Sequence, residues 1–345
     1  MDKSVRLYHH SKSGCLHLFK HANLVASVDF HPQDDRYFIS GGLDKKLRLW
    51  NITEGRVKDW AQAPEVITSA RFTPDGKFAV AGLFRGQVYL YEADGRTLKY
   101  YTQISCRNRR GKNRQGKKVT GISFLRERGD QKERSPSFAE RLSESGSRVM
   151  SFVSANVLGN PKVKSARRTD LMMISTNDSS VRLYGLTDFC IIRKYKGHTN
   201  NSMQIRARVC ESGSYIACGS ESGHCFIWDV DPNKCRRKKN MINMQVQSTK
   251  DKTKSTDYFV ASKGSLPIVT DTLFFPTKAV RESLLNSEEL FPHSHISLAM
   301  DRIQDDFSNA AILTLDHDGA MRVFIRKSCL DNILDACTPR GGAMT

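Results

Sequence analysis

Hydrophobic and polar positions alternate along this chain in short runs separated by turn residues. The clearest run follows Gly41-Gly42-Leu43-Asp44-Lys45. There Leu47, Leu49 and Asn51 alternate with Arg48 and Trp50, the two-residue period of a pleated strand. Two glycines and an aspartate between two such runs predict a β-hairpin, because both residue types accommodate a tight backbone bend.

Five further copies of this turn-and-strand pattern follow the same register and end in an aromatic. In order the six are DKSVRLY (2–8), DKKLRLW (44–50), RGQVYLY (85–91), DSSVRLY (178–184), SGHCFIW (222–228) and DGAMRVF (318–324). Their terminal aromatics, Tyr8, Trp50, Tyr91, Tyr184, Trp228 and Phe324, lie 42, 41, 93, 44 and 96 residues apart. An interval of about 40–45 residues is the WD-repeat period, one four-stranded propeller blade per repeat. The two long intervals equal one period plus an insertion. The pattern therefore predicts an all-β chain, a WD-repeat β-propeller with about five and a half blades present.

Two apolar runs precede each later hairpin at regular offsets: 25–30 and 37–40, 67–72 and 78–81, 119–124 and 171–175, 205–210 and 215–218, 268–275 and 311–315. Weaker runs at 15–19, 56–60, 98–104 and 190–195 are candidate outer strands, as expected of sheet edges that face solvent. Residues 126–169 and 277–309 are read as polar insertions, the first as a disordered excursion with at most a short helix near Phe138, the second with a helical patch around Leu284 and Leu290. Residues 232–266 read as a basic linker. The predicted organisation is a partial blade (1–22), two blades (23–104), a basic loop and a blade (105–197), a blade plus linker (198–266), a last blade (267–327) and a tail (328–345). The chain opens at the third strand of a repeat, so a fragment of a seven-bladed propeller is expected. A closed five-blade ring would strand the Val5–Tyr8 run.

Composition adds a partner class. The 345 residues carry 54 Lys and Arg against 36 Asp and Glu, a formal charge of +18, which points to acidic partners. Nine cysteines with no CxxC pair suggest a reducing compartment rather than a disulfide framework. No apolar run approaches the roughly 20 residues that span a bilayer, so a cytoplasmic location is expected.

The repeated Asp2, Asp44, Asp178 and Asp318 are read as structural: a turn aspartate accepts hydrogen bonds from nearby backbone N–H groups. Gly197-His198 with Trp228-Asp229 is the visible set of a hydrogen-bonded WD network, with Ser222 in place of its turn aspartate; Arg85 breaks the pattern likewise. These two blades are expected to rely more on packing. The strongest candidate surface is 106–118, where Arg107, Arg109, Arg110, Lys112, Arg114, Lys117 and Lys118 are unopposed by any acid. It joins an outer strand to the next inner strand, placing it on the face of the turn aspartates. Its Gly111-x4-Gly116-Lys117 nearly matches a phosphate-binding loop, but Lys118 stands where Ser or Thr would hold magnesium, and a strand follows instead of a helix. An anion-binding or partner-binding surface is the preferred reading. A second basic run at 234–239 is weaker, and neither has the interleaved aromatics on which single-stranded nucleic acid stacks. Arg134-Ser135-Pro136 is a weak phosphorylation candidate. His293 and His295 lack metal-ligating neighbours; no metal, cofactor or catalytic constellation is predicted.

Several segments taken together resemble one family: Phe30-His31-Pro32-Gln33-Asp34-Asp35-Arg36-Tyr37-Phe38, Tyr101-Thr102-Gln103-Ile104 before a basic loop, Ser175-Thr176-Asn177-Asp178, and Tyr195-Lys196-Gly197 followed by Ser202-Met203-Gln204-Ile205. In this order they are similar to the C-terminal propeller of the Rab GTPase-binding WD-repeat family (rabphilin-11 type) and its plant and fungal relatives. The resemblance implies a non-enzymatic scaffold in endosomal or Golgi vesicle traffic, peripheral to those membranes, with a Rab-type small GTPase among its protein partners. It carries over no contact residue. The basic loop then suits an acidic protein or anionic lipid. A nuclear or RNA-associated scaffold using the same loops on phosphates is the alternative; a small-molecule substrate is not expected.

Overall fold

The structure, a computed structural model, describes residues 2–93, 97–107, 116–126, 170–230, 252–253, 257–263, 266–274 and 311–325. All regular structure among them is β. A hairpin of β1 (Ser4–Leu7) and β2 (His17–Lys20) comes first. Blade I contains β3 (Val25–Phe30), β4 (Tyr37–Gly42), β5 (Lys46–Asn51) and β6 (Arg56–Gln62). Blade II contains β7 (Ile67–Phe72), β8 (Phe78–Leu83), β9 (Gln87–Glu92) and β10 (Lys99–Ser105). Blade III follows with β11 (Val119–Arg126), β12 (Asp170–Thr176), β13 (Ser180–Gly185) and β14 (Ile191–Tyr195). Blade IV has β15 (Ala207–Val209), β16 (Tyr215–Cys218), β17 (His224–Asp229) and, as outer strand, β19 (Asp257–Val260). Between those last two, β18 (Lys252–Thr253) pairs in parallel with β14 on the edge of blade III. Blade V shows β20 (Val269–Phe274), β21 (Ala311–Asp316) and β22 (Met321–Ile325).

Each blade is an antiparallel meander, so its second-to-third turns share one face with the connections from outer strand to next inner strand. That face carries Asp44, Asp178 and both ends of the 106–118 loop. Inner strands touch in succession, β3 to β7 to β11 to β15 to β20.

The central strands of blades I to IV bury both faces, which is why they read as nearly continuous apolar runs. On β12, Leu171 and Met173 pack with Ile205, Ile216 and Trp228 of blade IV, while Met172 and Ile174 pack with Val88, Leu90 and Val119. Ile39, Leu47 and Leu49 join Ile67, Phe72 and Leu83 between blades I and II, and Val269, Phe274 and Ile312 join Ala217 and Cys225 between IV and V. The hairpin adds Val5, Leu7 and Phe19 against Phe38 and Trp50. Gly41 sits where a side chain would meet Ile67 Cγ2 at 2.4 Å, so only glycine lets the neighbouring blade approach.

The stretch read as a basic linker therefore contains two strands, β18 and β19, and Arg126, read as the start of an insertion, ends β11. Short helices placed near Phe138 and around 284–290 fall outside the described residues. Among the described residues no helix is long and apolar enough to cross a membrane.

Candidate functional site

The turn aspartates act with an arginine that the sequence reading passed over. Asp44 accepts the Lys46 N–H at 3.2 Å and pairs with Arg48, four residues on and across the turn. Asp178 pairs with Arg182 and accepts from the Thr176 hydroxyl at 2.5 Å; Asp2 pairs with Arg6. At Asp44 and Asp178 burial pushes the carboxyl up, but the arginine's hydrogen bond and charge hold it below the usual carboxylate range; at Asp2 the Ser4 hydrogen bond lowers it most, with Arg6 adding to that. The last blade shifts the arrangement. Asp318 is exposed at its turn, and the arginine there, Arg322, pairs with Asp316, which also accepts the Ala320 N–H and the Ser262 hydroxyl.

A side-chain relay lies in blade I. Trp50 Nε1 donates to Ser40 Oγ at 2.9 Å, and Ser40 Oγ lies 2.8 Å from His21 Nε2. Asp44 is close enough to His21 to favour its charged form, although burial lowers the imidazole's pKa overall. No glycine precedes His21, so it lies outside the Gly-His pattern of the WD network. The Gly197-His198 set is arranged differently. His198 is buried, stacks edge-on against Trp228 at 5.6 Å between centroids, and neither ring nitrogen has a hydrogen-bond partner among the described residues. Burial pushes its pKa down to about 4. Trp228 Nε1 donates instead to the Lys196 carbonyl at 3.2 Å. Asp229 ends β17, opposite Tyr215.

Of the basic-loop residues, Arg107, Lys117 and Lys118 are described, whereas Arg109, Arg110, Lys112 and Arg114 lie outside the described residues. Both ends of the loop are fastened to the blade II turn. The Cys106 N–H donates to the Gly86 carbonyl at 2.8 Å, and a Cβ on Gly116 would lie 2.1 Å from the Arg85 carbonyl oxygen. Gly86 itself has φ +75°, a left-handed conformation that favours glycine. Arg107 and Lys117 are exposed, and Arg85 reaches Glu65 at 3.6 Å.

Lys118 has a different place. Its Nζ donates to the Ser202 carbonyl at 3.3 Å; burial lowers its pKa while Glu221 opposes that shift. Glu221 Oε1 collects the backbone N–H groups of Asn201, Ser202 and Met203 at 2.7–3.0 Å. Beyond them Gln204 Nε2 donates to the Thr68 and Thr120 carbonyls at 3.1 and 3.0 Å, so one side chain from blade IV ties blades II and III. The arrangement is an exposed cationic rim on a stiff, hydrogen-bonded base. Among the described residues no group of three or more His, Cys, Asp or Glu could hold a metal ion.

Comparison with known sequences places the pattern. The WD domain, G-beta repeat family matches residues 13–51 and 189–229. The chain is 32% identical over 334 residues to WD repeat-containing protein 44 of Xenopus laevis, covering 95% of this chain and 31% of that protein. It is 28% identical over 245 residues to an uncharacterized WD repeat-containing protein of Schizosaccharomyces pombe (70% and 35% covered). With 2-deoxy-glucose resistant protein 2 of Saccharomyces cerevisiae it shares 27% over 236 residues (67% and 24% covered). The chain thus spans about a third or less of the length of these relatives.

Proposed function

We propose, from the premise that this chain is a WD-repeat protein built of propeller blades, that it is a non-enzymatic scaffold in vesicle traffic. Its turn-bearing face would engage an acidic protein surface or anionic lipid, and a Rab-type small GTPase is the protein partner suggested by the family resemblance. The observation that carries this reading is the cationic rim: Arg107 and Lys117 stay exposed at the two ends of a loop whose base is fixed by Gly86, Gly116 and Lys118. Charges held out from a rigid base lose less entropy on binding than charges on a free tail. Each cation near an anionic surface contributes on the order of 1 kcal/mol before screening.

The test is co-sedimentation with anionic vesicles and capture by GTP- or GDP-loaded Rab GTPases, using the full chain. Changing Arg107, Arg109, Arg110 and Lys117 to Glu should abolish vesicle binding, with capture favouring the GTP form. Equal vesicle binding by wild type and variant would remove the rim from this account; capture by neither GTPase form would remove the Rab partner.

A further inference from the structure

A second basic cluster lies along the inner strands, away from the rim. Arg71 comes from β7, Arg208 from β15 and Arg206 from the residue preceding β15, with Asp29 of β3 and Asp271 of β20 as their carboxylates. The pairing is uneven. Arg208 takes both oxygens of Asp271, at 3.3 and 3.0 Å. Asp29 gives one oxygen to Arg71 at 3.1 Å and the other to the Phe72 N–H at 2.8 Å. Arg206 has only a 3.7 Å approach to the already occupied Asp271 Oδ2 and makes no hydrogen bond to a described residue. Among the described residues, three guanidiniums thus share two carboxylates.

The intervening strand leaves room for them. Between β7 and β15, strand β11 presents Gly121 and Ser123. The Arg206 backbone and Cβ pack against Gly121, where any side chain would collide at 2.5 Å. The Ser123 hydroxyl is turned to the Ala207 carbonyl at 3.2 Å. Burial lowers the Arg206 pKa; Asp271 opposes that shift, and the nearby charges of Arg208 and Arg71 add to it. The Arg206 side chain is 43% exposed, so a small solute reaches it. A surplus, part-desolvated arginine with unused N–H donors beside a second arginine is the arrangement that recognises a tetrahedral oxyanion.

We propose that Arg206 and Arg71, supported by Arg208, form an anion site on the inner strands that binds a phosphate group of a small molecule or lipid headgroup. The site is independent of the rim: it uses none of its residues, and its ligand would supply the counter-charge that Arg206 otherwise shares with Arg208 on Asp271. Arg206 is the binding residue to test, because removing it breaks no hydrogen bond and leaves both carboxylates with their own arginines.

The experiment titrates the full chain with inorganic pyrophosphate by calorimetry, and in parallel measures co-sedimentation with vesicles bearing phosphomonoester headgroups. Arg206→Gln should weaken pyrophosphate binding by about tenfold or more, whereas Arg107→Glu with Lys117→Glu should leave it within about twofold. Arg206→Lys, which keeps the charge but loses the fork, should fall between. An Arg206-dependent loss in both arms identifies a lipid headgroup; a loss with pyrophosphate alone identifies a soluble phosphate, and either supports the site. Pyrophosphate binding that is absent from wild type, or unchanged in Arg206→Gln, overturns it.

Discussion

Arg182 lies across a hairpin turn from Asp178, 1% exposed, with its guanidinium on that carboxylate and on the Thr176 hydroxyl. The repeats show why this pair belongs together. Where the turn aspartate is present (Asp2, Asp44, Asp178), the fourth residue after it is Arg6, Arg48 or Arg182; where Arg85 or Ser222 replaces it, that residue is Tyr89 or Phe226. Blades II and IV replace the aspartate and its arginine together, and put an aromatic residue at the arginine position.

The first prediction follows from that substitution pattern. Asp178→Ser should destabilise the chain by about 3–5 kcal/mol, because it leaves a buried arginine without its counter-charge. Adding Arg182→Phe reproduces the natural Ser222/Phe226 combination and should recover most of that loss. Urea midpoints of the single and double variants decide it; a double variant no more stable than Asp178→Ser would show that the aromatic does not substitute for the ion pair.

His198 sets a pH dependence. Its folded pKa of about 4 lies below the ordinary value of 6.5, so the unfolded chain binds a proton that the folded chain refuses across that interval. Its neutral-state stability is complete above pH 6.5 and is lost as pH falls toward 4. The shift corresponds to about 3 kcal/mol. Asp44 and Asp178, whose folded pKa values are depressed, contribute stability that is lost only at lower pH, below the ordinary carboxylate value. Stability of His198→Phe, which keeps an aromatic against Trp228, should therefore vary less between pH 6.5 and 4 than wild type. Parallel pH profiles for the two proteins would contradict this assignment.

Much of the fold was legible because its central strands bury both faces and its hairpins repeat. Runs 25–30, 67–72 and 215–218 coincide residue for residue with β3, β7 and β16. β19 was not legible: a long basic insertion separates it from β17, and Tyr258-Phe259-Val260 is too short an apolar run to stand out. The relay from Trp50 through Ser40 to His21 joins residues 19 and 10 apart in sequence, and the residue before His21 is Lys20. Arg48 and Arg182 sit at alternating polar positions that read as solvent-facing; only the blade geometry shows that the turn carboxylate folds back over them. Asp316 escaped because the repeat register pointed two residues later, to Asp318.

The loop glycines separate strain from collision. Gly55 has φ +65° but open space around it, so Gly55→Ala should cost only about 1 kcal/mol of backbone strain. Gly116→Ala places its Cβ against the Arg85 carbonyl, which cannot retreat without moving the blade II turn. It should cost about 1–3 kcal/mol and weaken vesicle binding through the displaced rim. Thermal denaturation and co-sedimentation of both variants test this; equal behaviour would mean that the loop base is looser than its geometry.

Glu221 offers the sharpest probe of one part of the base, because one of its carboxylate oxygens gathers the three backbone N–H groups of the 201–203 turn. Its carboxylate replaces the backbone partners that the 201–203 turn lacks, and those N–H bonds keep its pKa below the usual value against the opposing push of burial. Lys118 reaches the same turn through the Ser202 carbonyl. Glu221→Ala should release both restraints while leaving the interblade core intact, since Glu221 belongs to none of its apolar clusters. Amide hydrogen exchange at Asn201, Ser202 and Met203 should then accelerate by roughly ten- to a hundredfold, as expected for about 1.5–3 kcal/mol of lost local hydrogen bonding to a charged acceptor. Exchange in β12 and β16 should be unaffected. Acceleration across those strands too would show that the turn and the core open as one unit. In that case the rim could not move independently of the blades.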